Sequence, residues 1–468
     1  MRHACFLAVL IGGLSASADA QTFSGAIDLN GLGDPLAPAK PFGLAYDPAQ
    51  DRIHVAVAGD FIGNNRAVAV IDPALDAVVA TIDVGLYPQD IAFAYNASGA
   101  LRYGAVSNSS DGTVTIWDAS LLPVATVILP DPFSLGTCFP FGLTVLDDTL
   151  FVSTVDGSGD VHAIDLNTLS LDPAASFTTG FRFGGRMAAV GDELWVPTAV
   201  YDAFFTGSEA GLWRHHPTAP PTDPTVLLDA AFDGSGFPSG SAIEPHPDGR
   251  VLFAGLDTGG RLQLLRADGS PDRAIDLEGV DGYDVAVSGD GKLAAVTGLA
   301  EGEVAVVDLV NEQLLVRLDV GGLGFAQPNA AVFAHDKLYV TVQGSEAVLV
   351  FDQLPDPTPL GRYAGSLVVD ESAPEAGGVV TVDLTGTDPG DTVGLVAGSA
   401  TGSALLGGVA FEVGPDPRLL ALGTGSLQRS YTLPPTLPNP GRGIMLQGFS
   451  SDGLGGVDLT RPAMVVLQ

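Results

Sequence analysis

Cysteine is almost missing from this chain of 468 residues, which has two. Cys5 falls in the leader, so a mature chain beginning after Ala20 keeps Cys138 alone and can form no internal disulfide. Stability must then come from packing. Basic residues are scarce too: 20 Lys and Arg stand against 55 Asp and Glu, with lysine only at positions 40, 292 and 337. That balance argues against nucleic acid or an anionic membrane as a partner. Past the leader, no apolar run approaches the ~18 residues of a membrane helix. Nothing repeats at the helical period of 3.6 residues. The histidines form no HxH or HExxH spacing, and no G-x-S-x-G elbow occurs. Adjacent strand residues such as His215 and His216 face opposite ways and cannot share an ion. Cys138, in "GTCFPFG", has no base beside it.

What is present begins with a leader. Arg2 and His3, an apolar stretch over 6–14 and Ala18-Asp19-Ala20 read as a secretory signal peptide cut after Ala20. The expectation is an exported protein, secreted, periplasmic or at the cell surface, without a membrane span and monomeric. Most aspartates sit beside Gly, Pro or Asn, where a carboxylate can cap turn N–H groups. The loops "DGSGD" (156–160), "DGSGF" (233–237) and "SDGLGGVD" (451–458) lack the full calcium-loop pattern, so no cofactor is expected and structural calcium has no complete motif behind it.

The segment "PFGLAYDP" (41–48) returns as "PFGLTVLD" (140–147) and more loosely as "PQDIAFAY" (88–95). Around these echoes runs a cycle of four short strands. An apolar strand is followed by an Asp/Asn/Gly turn and a second strand such as "RIHVAVAG" or "KLYVTVQG". A third strand then ends on Asp72, Asp118, Asp165, Asp308 or Asp352, and a fourth resembles "VVATIDVG". Units begin near 41, 88, 140, 184, 238, 282 and 328, a period of four-stranded propeller blades. The fourth and fifth units carry His216 and Arg266 in place of the third-strand Asp and should be the irregular ones. The seventh lacks its fourth strand, and "TFSGAIDLNG" (22–31) has the missing pattern. The fold expected is all-β: a seven-bladed β-propeller over 21–355, closed by the N-terminal strand, which removes two open sheet edges.

With its "YVTV", "VxVxD" and "VVATIDVG" elements, the cycle resembles the YVTN-type repeats of secreted seven-bladed propellers, which include lactonase-like and surface-layer-associated proteins. Members range from binding proteins to enzymes, so the resemblance implies fold more than chemistry. No Glu-Arg-His set of a lactonase-like site can be carried over onto this chain. After a Pro-punctuated linker (356–364), short apolar runs separated by turn signals predict a β-sandwich over 365–468. It looks like the C-terminal β-modules of secreted bacterial proteins.

In a propeller the loops leading into each first strand and those between second and third strands ring one mouth of the central channel. The lead-in loops bring Lys40, Gln89, Asp90, Arg186, Tyr283, Asp284 and Asn329 there as candidate ligand-binding residues. Lys40 and Arg186 could face a ligand together or merely neutralise neighbouring aspartates. With neither a nucleophile and its base nor a metal cluster, the function expected is a non-catalytic binding or scaffold propeller engaging an extracellular ligand or protein at this mouth. Alternatives are a lactonase-like hydrolase or lyase, and an envelope-structural protein.

Overall fold

The structure is a computed structural model. It describes residues 22–60, 63–131, 138–180, 183–201, 208–216, 225–230, 242–255, 260–352 and 354, and strands between 366 and 466. The leader, the linker and the acidic loop at 233–237 lie outside the described residues, as does the turn within the loop at 451–458.

Seven antiparallel sheets follow one another between residues 22 and 352, the first six built from inner to outer strand in chain order. Blade 1 runs Pro41–Asp47, Arg52–Gly59, Asn64–Asp72 and Ala77–Asp83. The other inner strands are Pro88–Tyr95, Pro140–Leu146, the pair Phe183–Gly184 and Ala188–Val190, Ala242–Pro245, Asp284–Val287 and Pro328–Ala334. The seven-bladed propeller expected from the repeats is the fold observed. Blade 4 is irregular, with its inner strand in two pieces; blade 5 keeps a regular four-strand order.

Blade 7 takes its outer strand from the other end of the chain. Thr22–Asp28 pairs antiparallel with Ala347–Asp352, from Thr22 opposite Asp352 to Asp28 opposite Ala347. Beyond it, Leu29 N–H donates to Glu346 O (2.9 Å) and Ala39 N–H to Glu346 Oε1 (2.9 Å). Tyr339 Oη of blade 7 donates to Asp76 of blade 1 (2.6 Å), which also pairs with Lys337 (2.6 Å). Ile27 and Leu29 are buried in one core with Ile53, Val55, Tyr339 and Val350, which spans blades 7 and 1.

Third-strand aspartates cap the turns that follow: Oδ1 of Asp72, Asp118, Asp165 and Asp308 each accepts from the backbone N–H two residues on. Much of the negative charge is therefore turn chemistry. The histidines inside strands have packing roles. His54 stacks on Trp117 (5.7 Å) and meets Phe93 edge-on, and burial pushes its pKa down to about 3. His215 stacks on Phe177 (4.0 Å), while His216 turns outward to Asp192.

The chain divides into two compact units, Gln21–Pro355 and a second taking in Asp356–Gln468. The second holds a three-stranded sheet (Ser366–Asp370, Val379–Thr385, Leu427–Thr432), a five-stranded sheet centred on Thr392–Gly398 and Gly443–Ser451, and a hairpin (Ala404–Leu406, Val409–Phe411). Among the described residues no helix is long and apolar enough to cross a membrane.

Candidate functional site

The echo "PFGL" has a geometric cause at the channel. The inner strands crowd one another so closely that a Cβ on Gly43 would lie 2.1 Å from Gln89 O of the next blade. On Gly142 it would lie 2.3 Å from Gly185 O. A side chain fits neither place. The same register position in blades 2, 4 and 6 carries Asp90, Arg186 and Asp284. Glycine therefore marks where blades touch through backbone, and charge where they touch through side chains.

Hydroxyls lock several of these contacts. Ser107, Ser153, Thr297 and Thr341 stand at one register position of their second strands. Each donates to a carbonyl of the next blade's inner segment: Phe141 O (2.6 Å), Gly185 O (2.8 Å), Asn329 O (3.0 Å) and Phe42 O (2.6 Å). The two aspartates use the same logic with opposite polarity. Asp90 Oδ2 accepts from Leu143 N–H (2.7 Å) and Asp284 Oδ2 from Ala331 N–H (3.0 Å), each in the following blade.

Arg186 reaches across the channel between those carboxylates. Its Nη1 lies 2.7 Å from Asp284 Oδ1 and its Nε 3.8 Å from Asp90 Oδ1, while Nη2 donates to Asn329 Oδ1 (3.2 Å). Only Nη2 makes a hydrogen bond; Nε is too far from Asp90 for one, and Nη1 meets Asp284 off-axis. Phe141 and Tyr283 flank the guanidinium at 5.9 and 5.7 Å. Burial works to lower the Arg186 pKa, but Asp284 and Asp90 outweigh it and hold the group protonated. Burial raises Asp90 to about 6 despite Arg186, and raises Tyr283 to about 12.

The structure thus brings Asp90, Arg186, Tyr283, Asp284 and Asn329 together, Asp90 partly buried and the other four buried. Gln89 is buried as well, with Oε1 unpartnered. Lys40 stands apart at the rim, 3.7 Å from Asp60. Both cations therefore neutralise aspartates. A packed layer of Phe42, Tyr87, Phe141 and Tyr283 closes the channel at the lead-in side, its rings edge-on or tilted about Phe42 at 6.1–6.4 Å. The rim outside it carries Asp60, Asp111, Asp156, Asp281 and Glu301, each at least partly exposed.

Beyond the Arg186 cluster, away from the aromatic layer, lies a cavity of about 270 Å³. Its walls include Leu44, Leu143, Ile243 and Val285, and its polar groups are Asp90, Arg186, Asp284, Glu244 and Tyr46. Half-exposed Tyr46, Val287 and Val332 stand at its far end, and Tyr46 Oη donates there to Asp51 in the first turn of blade 1 (2.9 Å). Burial, reinforced by Asp284 and Asp90, raises Glu244 to about 8. Sequence reasoning missed Glu244 because "AIEP" lacks the Pro-x-Gly signature of the other inner strands. It missed the locking hydroxyls too, although one Ser or Thr recurs in otherwise apolar second strands ("YGAVSN", "FVST", "AAVTG", "YVTV"). No group of three or more acidic, His or Cys side chains among the described residues could hold a metal ion.

No protein-family model matches the chain, and no curated protein does. Solved structures do. A chain of Kuenenia stuttgartiensis hydrazine synthase superposes with a TM-score of 0.52 at 13% identity, over 69% of this chain and 98% of that one. A chain of the mitotic checkpoint complex gives 0.51 at 12% identity, over 72% and 94%. The β-propeller domain of Myceliophteria thermophila Cps50 (Swd1) gives 0.51 at 10% identity, over 71% and 100%. At such identities the likeness is one of fold, and the fold they share with this chain is the β-propeller.

Proposed function

We propose that this chain is an exported, non-catalytic binding propeller that engages a cationic partner on its lead-in face. One observation carries the reading: an acidic rim (Asp60, Asp111, Asp156, Asp281, Glu301) surrounds a channel mouth closed by four aromatic rings. Such a face offers a rigid charged platform rather than a funnel. Partners with Lys or Arg side chains would be steered to it, and polyanions repelled. Asp90, Arg186, Asp284 and Asn329 hold the blades in register beneath the platform. Propellers serve widely as protein-binding scaffolds, and one of the similar chains comes from a multiprotein assembly. The leader, the likeness to YVTN-type secreted repeats, the two-sheet C-terminal unit read as a sandwich, and a monomeric state without cofactor complete the proposal.

The test is titration of the mature chain with a lysine- and arginine-rich decapeptide. Saturable binding that weakens steeply with salt, and at least tenfold in Asp111→Asn/Glu301→Gln, is expected. No binding, or binding unaffected by salt, overturns the reading. A hydrolase or lyase is the second reading, favoured by Glu244 and Asp90, both with raised pKa values, bordering one cavity with Arg186. Turnover of a lactone, ester or glycoside that is lost in Glu244→Gln would put it first.

A further inference from the structure

We infer that the inner cavity is a binding site for a small primary ammonium compound with an apolar body, recognised by Glu244 and reached from the face opposite the acidic rim. It is separate from the rim, because the aromatic layer and the Arg186 cluster stand between them.

Three observations converge. The first is space: about 270 Å³, lined on one side by Asp90, Arg186, Glu244 and Asp284 and elsewhere by aliphatic side chains such as Leu44, Leu143, Ile243 and Val285, near the lower end of small-molecule sites. The second is the charge left over once Arg186 is counted. Its guanidinium is engaged by two carboxylates, Asp284 and Asp90, so the cluster already carries a surplus negative charge before Glu244 is added. The third is Glu244 itself. The residue is partly buried and lines the cavity, and it has no hydrogen bond or ion pair with any described residue. The other two acids are held by backbone N–H groups of the neighbouring blade, Leu143 for Asp90 and Ala331 for Asp284. Glu244 is the acid with free oxygens.

A buried acid without a partner is costly as an anion. An ammonium group set beside it supplies the missing donors and the opposite charge, and the aliphatic walls take the ligand's hydrocarbon part. A carboxylate ligand would meet three acids. An alcohol would fill the space without answering the charge. Recognition by charge has a measurable consequence: the acid is mostly protonated when the cavity is empty and must ionise to pair, so binding releases a proton.

Cyclohexylammonium, cyclohexanol and cyclohexanecarboxylate, near-isosteric and differing in charge, are the probes. Calorimetry of the mature full-length chain at pH 7, repeated in two buffers of different ionisation enthalpy, reads both affinity and proton count. Saturable binding of cyclohexylammonium is expected, with a clear release of up to one proton, given the raised Glu244 pKa. Cyclohexanol and cyclohexanecarboxylate should bind at least tenfold more weakly. Glu244→Gln should weaken the ammonium probe at least tenfold and abolish the proton release. The inference is overturned by no saturable binding up to about 10 mM, by equal binding of all three probes, or by binding without proton release. Unchanged binding in Glu244→Gln overturns it as well. Proton release is read on the unaltered protein, so the result stands even if the variant folds poorly. Rim binding of the decapeptide is scored separately, so either reading can fail alone.

Discussion

Replacing Arg186 with methionine removes the one cation from a buried cluster and leaves Asp90 and Asp284 facing each other across the channel. Methionine keeps much of the volume, so the loss is chiefly electrostatic. Breaking a buried pair by removing one partner costs about 3–5 kcal/mol. The propeller unit runs from Gln21 to Pro355, roughly 335 residues, and at about 2.1 cal/mol/K per residue its unfolding entropy is about 0.7 kcal/mol/K. A loss of about 4 kcal/mol therefore lowers Tm by about 6 °C. The three tryptophans of the chain, Trp117, Trp195 and Trp213, all lie in blades 2 and 4, so their fluorescence follows this unit alone. Without Arg186 the two carboxyls escape their mutual repulsion by taking up a proton, which raises their folded-state pKa above the ordinary value near 4. The folded variant then binds more protons than its unfolded chain between about pH 4 and 8, so its stability falls as pH rises. The deficit against the parent should be clearly larger at pH 8 than at pH 5, and Asp284→Asn in the same chain should recover part of it. A loss under about 1 kcal/mol, equal at both pH values, would refute the clamp.

Other consequences are open to simpler tests. His54 is neutral in the fold and protonates on unfolding below about pH 6.5, so its contribution to stability falls as pH drops. His54→Phe should flatten that slope, reducing the loss between pH 6.5 and 5 by about 1.5 kcal/mol in urea titrations. Thr341→Val removes the hydroxyl that donates to Phe42 O and accepts from Ala330 N–H, which should cost about 1–3 kcal/mol by the same assay. Burial pushes the Cys138 thiol up to about 12, so a disulfide-exchange reagent should leave it unmodified in the native chain and react fully in denaturant. The unit Gln21–Pro355, expressed alone, should keep its tryptophan-monitored Tm within about 2 °C of the full chain.

The architecture was legible because a blade is a local object. Turn aspartates, alternating strands and the "PFGL" echo recur wherever a blade repeats, and the missing fourth strand of the last unit pointed to residues 22–31. Blades 4 and 5 were harder to bound: units placed near 184 and 238 have inner strands that begin at Phe183 and Ala242, with no Pro-x-Gly-Leu to mark them. The site was half legible. Asp90, Arg186, Tyr283, Asp284 and Asn329 meet at the channel, but Asp90, Asp284 and Asn329 stand in the inner strands rather than in the lead-in loops where the sequence placed them. Their depth was not readable, because it depends on the neighbouring blades' Phe42, Tyr87 and Phe141 closing over them. Those aromatics looked like ordinary core positions. Glu244 could be found only in three dimensions, as one acid in an unremarkable strand whose meaning comes from two others in blades 2 and 6.

Closure of the ring by the amino-terminal strand is tested most directly by hydrogen–deuterium exchange on the mature chain. Thr22–Asp28 is an outer strand with one paired edge, so about half of its amides point to Ala347–Asp352 and half to solvent. The paired half should exchange as slowly as the amides of Ala347–Asp352, opening only when the propeller unfolds. Complete exchange of the segment within seconds, with Ala347–Asp352 behaving as a free edge, would contradict the closure.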